Sequence, residues 1–173
     1  MLIQQHHIEQ AAEVTGIDIA DLTAFLAEGS NHTYGPNEWL FQESTPRLWT
    51  GVILEGEIEI VRGLHGKSQH IMTLSKGALI SEGLLLEDDV HINGAYTRHG
   101  ATVQQIPREK LIACQKSHPD RYYRIVSRVA VGVNRRMRLL SDQLFANRQD
   151  TRQPGGFRVE YDSLGQREIP DQA

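Results

Sequence analysis

Hydrophobic positions follow two different periods along the chain, and each period predicts a different kind of element. In "DIADLTAFLAEG", residues 18–29, the apolar side chains cluster on one side of a helix, Asp18 is placed to cap it, and Gly29 is expected to close it in a left-handed turn. From residue 33 to residue 106 apolar and polar residues alternate in short runs between glycine-containing turns. Such short strands predict an antiparallel β-barrel or jelly roll.

The alternation is clearest in "LWTGVILEGEIEIVRG", residues 48–63. Ile58 and Ile60 are expected to face the core, because side chains two apart in a strand share a face, and Ile53 is a further candidate for the core. Gly56 is expected to interrupt the run as a turn or a bulge.

The helical period returns after Pro107 and is sustained from residue 120 to residue 146, with Pro119 at a position where a first helical turn accepts proline. The apolar stripe of this long helix is narrow and flanked by arginines, which is typical of a seam between two helices. The predicted dimer stripe consists of Val126, Val129, Val133, Met137 and Leu140. Packing of part of the stripe on the chain's own barrel is the alternative.

The charge of the chain is unevenly distributed. Residues 1–118 contain 8 Lys or Arg and 15 Asp or Glu, net −7, whereas residues 119–152 contain 8 Arg and 3 Asp, net +5. The basic segment coincides with the predicted long helix and is interpreted as its solvated face, with a surface for nucleic acid or an acidic partner as the alternative. The net charge of −4 for the whole chain argues against nucleic acid as a partner.

Composition excludes several further classes. Cys114 is the single cysteine, so the sequence contains no internal disulfide and fits a reducing cytoplasm. No signal-peptide pattern follows Met1, and no apolar run reaches the length of a membrane span, so neither export nor a membrane partner is predicted. The eight histidines lack the spacings of metal sites, and no nucleophile-elbow motif is present, so the sequence predicts neither a metal site nor a catalytic residue.

Four segments resemble the cyclic nucleotide-binding domain family: "YGPNEWLFQEST" (34–45), "VILEGEIEIVR" (52–62), "KGALISEGLLL" (76–86) and "IPREKL" (106–111). The second is similar to the family's hairpin and the third to its phosphate-binding cassette. The resemblance runs from about residue 18 to residue 144. It implies a mainly β fold with helices, an antiparallel jelly roll with a short N-terminal helix and a long C-terminal helix.

The resemblance also implies a ligand site in the cassette, here taken as residues 76–94. It assigns Glu82 to a ribose hydroxyl, and it places His91 where the family carries an arginine that pairs with the cyclic phosphate. Ser81 replaces the family's glycine. The candidate ligand-binding residues are Ser81, Glu82, Gly83, Leu84, His91, Ile92, Asn93 and Gly94.

No cofactor is established by the sequence; the ligand implied is cyclic AMP or another small anion, held weakly. Histidine is mostly neutral at pH 7, and losing a charge-assisted contact costs about ten- to a hundredfold in affinity. Affinity is therefore expected to rise below about pH 6.5, where a free histidine becomes charged, with Asp88 and Asp89 favouring the protonated ring. His91→Arg is expected to restore the lost contact.

The last segment, "FRVEYDSLGQREIPDQA" (157–173), resembles the start of the aspartase and class II fumarase family. The matching residues are Arg158, Glu160, Asp162, Leu164, Gly165, Pro170 and Ala173. The resemblance implies a covalently linked lyase domain beyond Ala173, and none of that family's catalytic residues lies in these seventeen.

The sequence thus predicts an N-terminal extension (1–17), a cyclic nucleotide-binding-like β-roll (18–118), a long dimer helix (119–146), a linker (147–156) and the start of an aspartase-like segment (157–173). The leading hypothesis is a non-catalytic regulatory and dimerisation domain of an aspartate ammonia-lyase, with a degenerate cassette. One alternative is a functional cyclic AMP or cyclic GMP sensor of a catabolite-activator-type regulator, although the 27 residues after Ala146 contain no readable recognition helix. Another is a cupin-like enzyme, which needs clustered metal ligands.

Overall fold

A computed structural model of the chain describes residues 3–64, 67–87 and 89–150. Its helices are α1 (Gln5–Thr15), α2 (Ile19–Leu26), α3 (Arg108–Ser117) and α4 (Pro119–Asp150). Its strands are β1 (Ser30–Tyr34), β2 (Glu38–Phe41), β3 (Trp49–Gly56), β4 (Ile58–Leu64), β5 (Lys67–Leu74), β6 (Leu79–Ile80), β7 (Gly94–Thr97) and β8 (Ala101–Pro107). A short 3-10 helix, the cassette helix, spans Glu82–Leu85. The described residues up to Arg135 form one compact unit, and those from Arg136 belong to a second.

The strands form two four-stranded antiparallel sheets, ordered β1-β8-β3-β6 and β2-β7-β4-β5. This arrangement confirms the predicted jelly roll with N-terminal and C-terminal helices. The similarity of residues 52–62 to a hairpin is misleading, since β3 and β4 lie in different sheets and do not pair with each other. The chain changes sheet at Gly56, which has φ +78°, and a Cβ there would lie 2.3 Å from the Gly100 carbonyl oxygen.

The core between the two sheets is closed by aliphatic side chains from both. Ile53 and Ile58 are buried there as the alternation predicts, while Ile60 is half-buried and packs against the same cluster. The remaining buried members are Leu40, Ile80, Ala95, Ala101 and Val103.

A second core lies between the helices and the β1-β8-β3-β6 sheet. Ile8 and Ala11 of α1 are buried in it, so residues 5–15, expected in an N-terminal extension, are part of the roll's own packing. Leu22 and Phe25 of α2 and Ile125 of α4 complete its centre.

Local signals account for the ends of α2. The Asp18 carboxylate accepts hydrogen bonds from the Ala20 and Asp21 backbone N–H groups at 2.8 and 3.3 Å, which confirms the predicted cap. Gly29 does not have the positive φ that the sequence predicts. Its role is close approach instead, because a Cβ there would lie 2.3 Å from the Gln105 carbonyl oxygen.

The long helix is continuous, and it extends from Pro119 to Asp150, four residues into the predicted linker at 147–156. Val129 is buried, and Val126 and Val133 pack against the helical core, so this part of the predicted dimer stripe belongs to the chain's own domain. Met137 is 63% exposed and Leu140 is half-buried. The aspartase-like segment, residues 157–173, lies outside the described residues.

Candidate functional site

The cassette begins where β6 ends. Ser81 connects the strand to the cassette helix and has φ 56° and ψ 28°, a left-handed conformation that glycine adopts freely and serine rarely. Its side chain is buried, and its hydroxyl makes no hydrogen bond within the described part of the chain. At the position where the resemblance implies glycine, the chain therefore has a serine in a left-handed conformation with an unpaired buried hydroxyl.

The cassette helix is anchored from both sides. Leu85 is buried in the helical core, and its carbonyl oxygen accepts a hydrogen bond from the Tyr122 hydroxyl of α4 at 3.3 Å. Glu82, Gly83 and Leu84 are half-buried, and Leu84 also packs against the helical core.

His91 occupies the position that the resemblance assigns to a phosphate-pairing arginine, and its surroundings are unsuited to charge. The residue is 5% exposed, and its ring stacks on Phe41 with centroids 3.6 Å apart and planes 9° apart. Its backbone N–H donates to the Thr45 carbonyl at 2.9 Å, and its carbonyl accepts from the Ser44 N–H at 2.7 Å.

Burial, and secondarily the positive charge of Arg47, lowers the pKa of His91 from 6.5 to about 4. The expectation that this ring becomes charged below pH 6.5 is therefore wrong. Asp89, expected to raise the pKa, instead accepts a hydrogen bond from the Val90 N–H at 2.7 Å, and Asp88 lies outside the described residues. At pH 7 the His91 ring is neutral and acts as an aromatic packing group.

The residues after His91 differ in exposure. Ile92 is 59% exposed, so its side chain lies mainly in solvent. Asn93 is half-buried. Gly94 is buried, and a Cβ there would lie 2.7 Å from Cζ3 of Trp39, so this glycine makes room for an aromatic ring.

Arg47 is the residue that sequence analysis missed. It lies in the loop between β2 and β3, and its side chain is 7% exposed. A Cβ placed on Gly83 would lie 2.8 Å from the guanidinium carbon and 3.0 and 3.1 Å from the two terminal nitrogens, so the guanidinium is packed directly on the cassette helix. Its Nη1 donates to Oε1 of Glu87 at 3.1 Å.

One signal in the sequence could have identified this arginine. Arg47 is the only lysine or arginine before Arg62, in a stretch that is otherwise acidic. A positive charge thus lies against the cassette helix, and it is supplied by Arg47 of the β2–β3 loop and not by the residue at position 91.

Two further properties bear on the candidate chemistry. In residues 3–64, 67–87 and 89–150, no group of three or more His, Cys, Asp or Glu side chains is arranged to hold a metal ion. None of the helices in the described part is both long and apolar enough to cross a membrane.

Comparison with family models finds no match, and neither does comparison with curated proteins. Solved structures do match. A cyclic nucleotide-binding domain from Methylobacillus flagellatus has a TM-score of 0.74 at 15% identity, over 89% of this chain and 88% of that one. The c-di-GMP-responsive global regulator CLP of Xanthomonas campestris has a TM-score of 0.65 at 21% identity, over 79% of this chain and 66% of that one.

A third match is a mutant regulatory subunit of a cAMP-independent protein kinase A from Trypanosoma brucei, bound to cAMP in its A site. Its TM-score is 0.60 at 15% identity, over 80% of this chain and 49% of that one. The present chain therefore spans most of the first structure, about two thirds of the second and half of the third. At these identities the comparisons show the fold: this chain folds as a cyclic nucleotide-binding domain does.

Proposed function

We propose that this chain is a non-catalytic regulatory domain of the cyclic nucleotide-binding type, whose cassette does not make the usual arginine–phosphate contact. The observation that carries the proposal is His91, which is buried, stacked on Phe41 and neutral at pH 7. A neutral ring in a packed environment offers neither the charge nor the fork of donors that a guanidinium gives to phosphate.

The matching structures support a regulatory role without fixing a ligand. One is described as responsive to c-di-GMP, and another as cAMP-independent. The latter is bound to cAMP as a mutant in which one of three substitutions replaces threonine by arginine. A gained arginine in a domain of this fold is the change that we expect to restore cyclic nucleotide binding here.

The proposal is tested by calorimetry with cyclic AMP and cyclic GMP. We expect the wild-type domain to bind both much more weakly than micromolar, and equally weakly at pH 7 and pH 5, because His91 stays neutral above about pH 4. A micromolar dissociation constant, about −8 kcal/mol, would instead favour the alternative of a cyclic nucleotide sensor.

The structure revises the expected effect of His91→Arg. A guanidinium at position 91 would lose the stacking on Phe41 and stand next to Arg47, whose charge already disfavours a cation there. We therefore expect His91→Arg to tighten cyclic AMP binding by less than the ten- to hundredfold that one charge-assisted contact allows. His91→Phe, which keeps an aromatic ring against Phe41 and adds no charge, is the matched control and should gain nothing.

We further propose that the domain forms a homodimer through α4. Val133→Glu is unsuitable for testing it, since Val133 packs against the domain's own core. Met137 and Leu139 are both exposed, at 63% and 62%, but only Met137 lies on the predicted stripe. Light scattering should show a dimer for the wild type and for Leu139→Glu, and a monomer for Met137→Glu. A monomeric wild type would rule out the proposal.

The proposed connection to an aspartate ammonia-lyase rests on the residue pattern at 157–173. The test is the reading frame beyond codon 173, which we expect to encode a lyase body. An unrelated domain there would refute the connection. A winged helix-turn-helix would support the alternative of a transcription regulator, and that alternative also predicts DNA binding in a gel-shift assay.

A further inference from the structure

Arg47 is a cation held in a place where a positive charge is costly unless an anion accompanies it. Its side chain is 7% exposed, and the guanidinium lies face-on against Gly83, since three of its atoms are nearly equidistant from the Cβ position of that residue. Burying a charge is unfavourable without a partner, so the structure must supply an anion at this point.

The β2–β3 loop holds the arginine in position before any ligand arrives. The Thr45 carbonyl accepts from the His91 N–H at 2.9 Å, and the Ser44 N–H donates to the His91 carbonyl at 2.7 Å. Pro46, the residue before Arg47, forms a bridge with Val90. On the other side of Arg47, the Leu48 carbonyl accepts from the Arg108 N–H at 2.9 Å. The guanidinium is therefore a preorganised fork of donors, which reduces the ordering cost of binding an anion.

The anion now in place is the chain's own, and it is exchangeable. Glu87 lies 3.1 Å from Arg47, but its side chain is 62% exposed, so its carboxylate can return to water at little cost. The Glu87 backbone N–H is held separately, by the Gly83 carbonyl at 2.9 Å. The side chain can therefore leave without unfolding the turn.

A second polar group of the cassette, the Ser81 hydroxyl, lacks a partner. Ser81 is 9% exposed, and its hydroxyl makes no hydrogen bond in the described part of the chain. It stands two residues before Gly83, at the start of the cassette helix. Native structures rarely leave a buried hydroxyl unpaired, and a bound anion is a suitable acceptor for it.

We propose that Arg47 is the anion-binding residue of this cassette, that Glu87 is its internal competitor, and that the ligand is a small molecule with a phosphate group. This inference rests on the proposed function in that it places the regulatory ligand in the same cassette. It assigns recognition of the phosphate group to Arg47 in the β2–β3 loop and not to the residue at position 91.

The test is a titration of the whole chain with inorganic phosphate, followed by ¹H–¹⁵N NMR of backbone and arginine side-chain resonances. Glu87→Gln removes the competitor at an exposed position and should tighten phosphate binding about two- to fivefold, the range expected for an ion pair with an exposed partner. Arg47→Met should weaken it about ten- to a hundredfold. The shifts should centre on Arg47, Gly83 and Ser81.

Two outcomes would overturn the inference. One is that Glu87→Gln binds phosphate no better than the wild type, a result that does not depend on how well Arg47→Met folds. The other is that the shifts fall on the arginines of α4 and not on the cassette.

Cyclic AMP as a second probe separates this inference from the proposed function. Micromolar binding that survives Arg47→Met would defeat the proposed function and this inference together. Weak binding of cyclic AMP, combined with phosphate shifts that ignore Arg47, would defeat the inference alone.

Discussion

Two arginine–carboxylate pairs in this molecule are built in opposite ways. In the cassette the cation is buried and the anion exposed, with the Arg47 and Glu87 side chains 7% and 62% exposed. At the junction of α2 and α4 the anion is buried and the cation exposed, with Asp21 at 9% and Arg124 at 60%. Arg124 donates to both Asp21 oxygens, from Nε at 2.7 Å and from Nη2 at 2.6 Å.

The buried member decides what each pair can do. Asp21 is held by two donors from Arg124 and also has Arg121 Nε at 3.7 Å, so its charge is well compensated inside the protein and the pair acts as a joint between helices. Arg47 faces a carboxylate that is free to exchange with solvent. A buried cation with an exposed partner can exchange that partner for a ligand, whereas a buried anion held by two arginine donors fixes one helix against another.

The largest expected effect is that the two regions lose their contributions to folding stability at different pH values. His91 has a pKa of about 4 in the folded chain and an ordinary value of 6.5 unfolded, so its neutral burial favours folding fully above pH 6.5. That contribution is lost as pH falls from 6.5 to about 4, and the difference corresponds to about 3 kcal/mol. Hydrogen bonding to Arg124 lowers the Asp21 pKa below 3.8, so its contribution is lost only at still lower pH.

Urea unfolding at pH 7, 5 and 4 measures these windows. His91→Phe keeps an aromatic ring against Phe41 but cannot titrate, and it should lose much less stability than the wild type between pH 6.5 and 4. The exposed His99 provides the control, since His99→Phe should retain the wild-type slope. If His91→Phe loses as much stability between pH 6.5 and 4 as the wild type does, His91 is not the group whose protonation destabilises the chain in this range.

An intermediate effect is expected from matched charge removal at pH 7. Asp21→Asn should destabilise the chain by about 1 kcal/mol, after allowance for the solvent exposure of Arg124, because it removes the buried charge that accepts from Arg124 and faces Arg121. Glu87→Gln should cost less than about 0.5 kcal/mol, since water can take the place of an exposed carboxylate. Equal losses in denaturant unfolding would contradict the distinction between joint and ligand site.

The smallest expected effect is a coupling between Gly83 and Arg47. Gly83→Ala places a methyl group 2.8 Å from the guanidinium carbon, so the flexible arginine must move away. The loss should be about 0.5–1 kcal/mol and should vanish in Arg47→Met, which a double-mutant cycle measures. Gly132→Ala is the control: nothing lies within 4 Å of its Cβ position in α4, so it should stabilise by up to about 1 kcal/mol.

Much of the fold follows from period and capping in the sequence. The alternation of residues 48–63 predicts which isoleucines enter the core, and Asp18 predicts the start of α2. Pairing between strands does not follow, because the pattern of a strand does not identify its partner: β3, with five successive buried residues, could belong to either sheet. Glycine also misleads, since Gly29 is explained by a neighbour 76 residues away, at Gln105, and not by local backbone conformation.

The candidate site is less accessible to sequence reasoning. A motif assigns roles by position, and here it assigns the contact with a phosphate group to position 91 alone. The pKa of that ring depends on burial and on Arg47, which is 44 residues earlier in the chain. Alternation gives the wrong face for Arg47 as well, because hydrophobicity alone would bury Leu48 and expose its charged neighbour.

The segment before β3 is arranged against that hydrophobic preference. Pro46 and Leu48 are exposed while Arg47 between them is buried, and the bridge to Val90 holds this register. A slip of one residue would exchange the two faces, covering Leu48 and releasing Arg47 to solvent. The loop is therefore locally frustrated: its pairing with residues 90 and 91, and not hydrophobicity, decides which of the two side chains is hidden. A ligand that binds the buried guanidinium would add its binding free energy to the stability of this register.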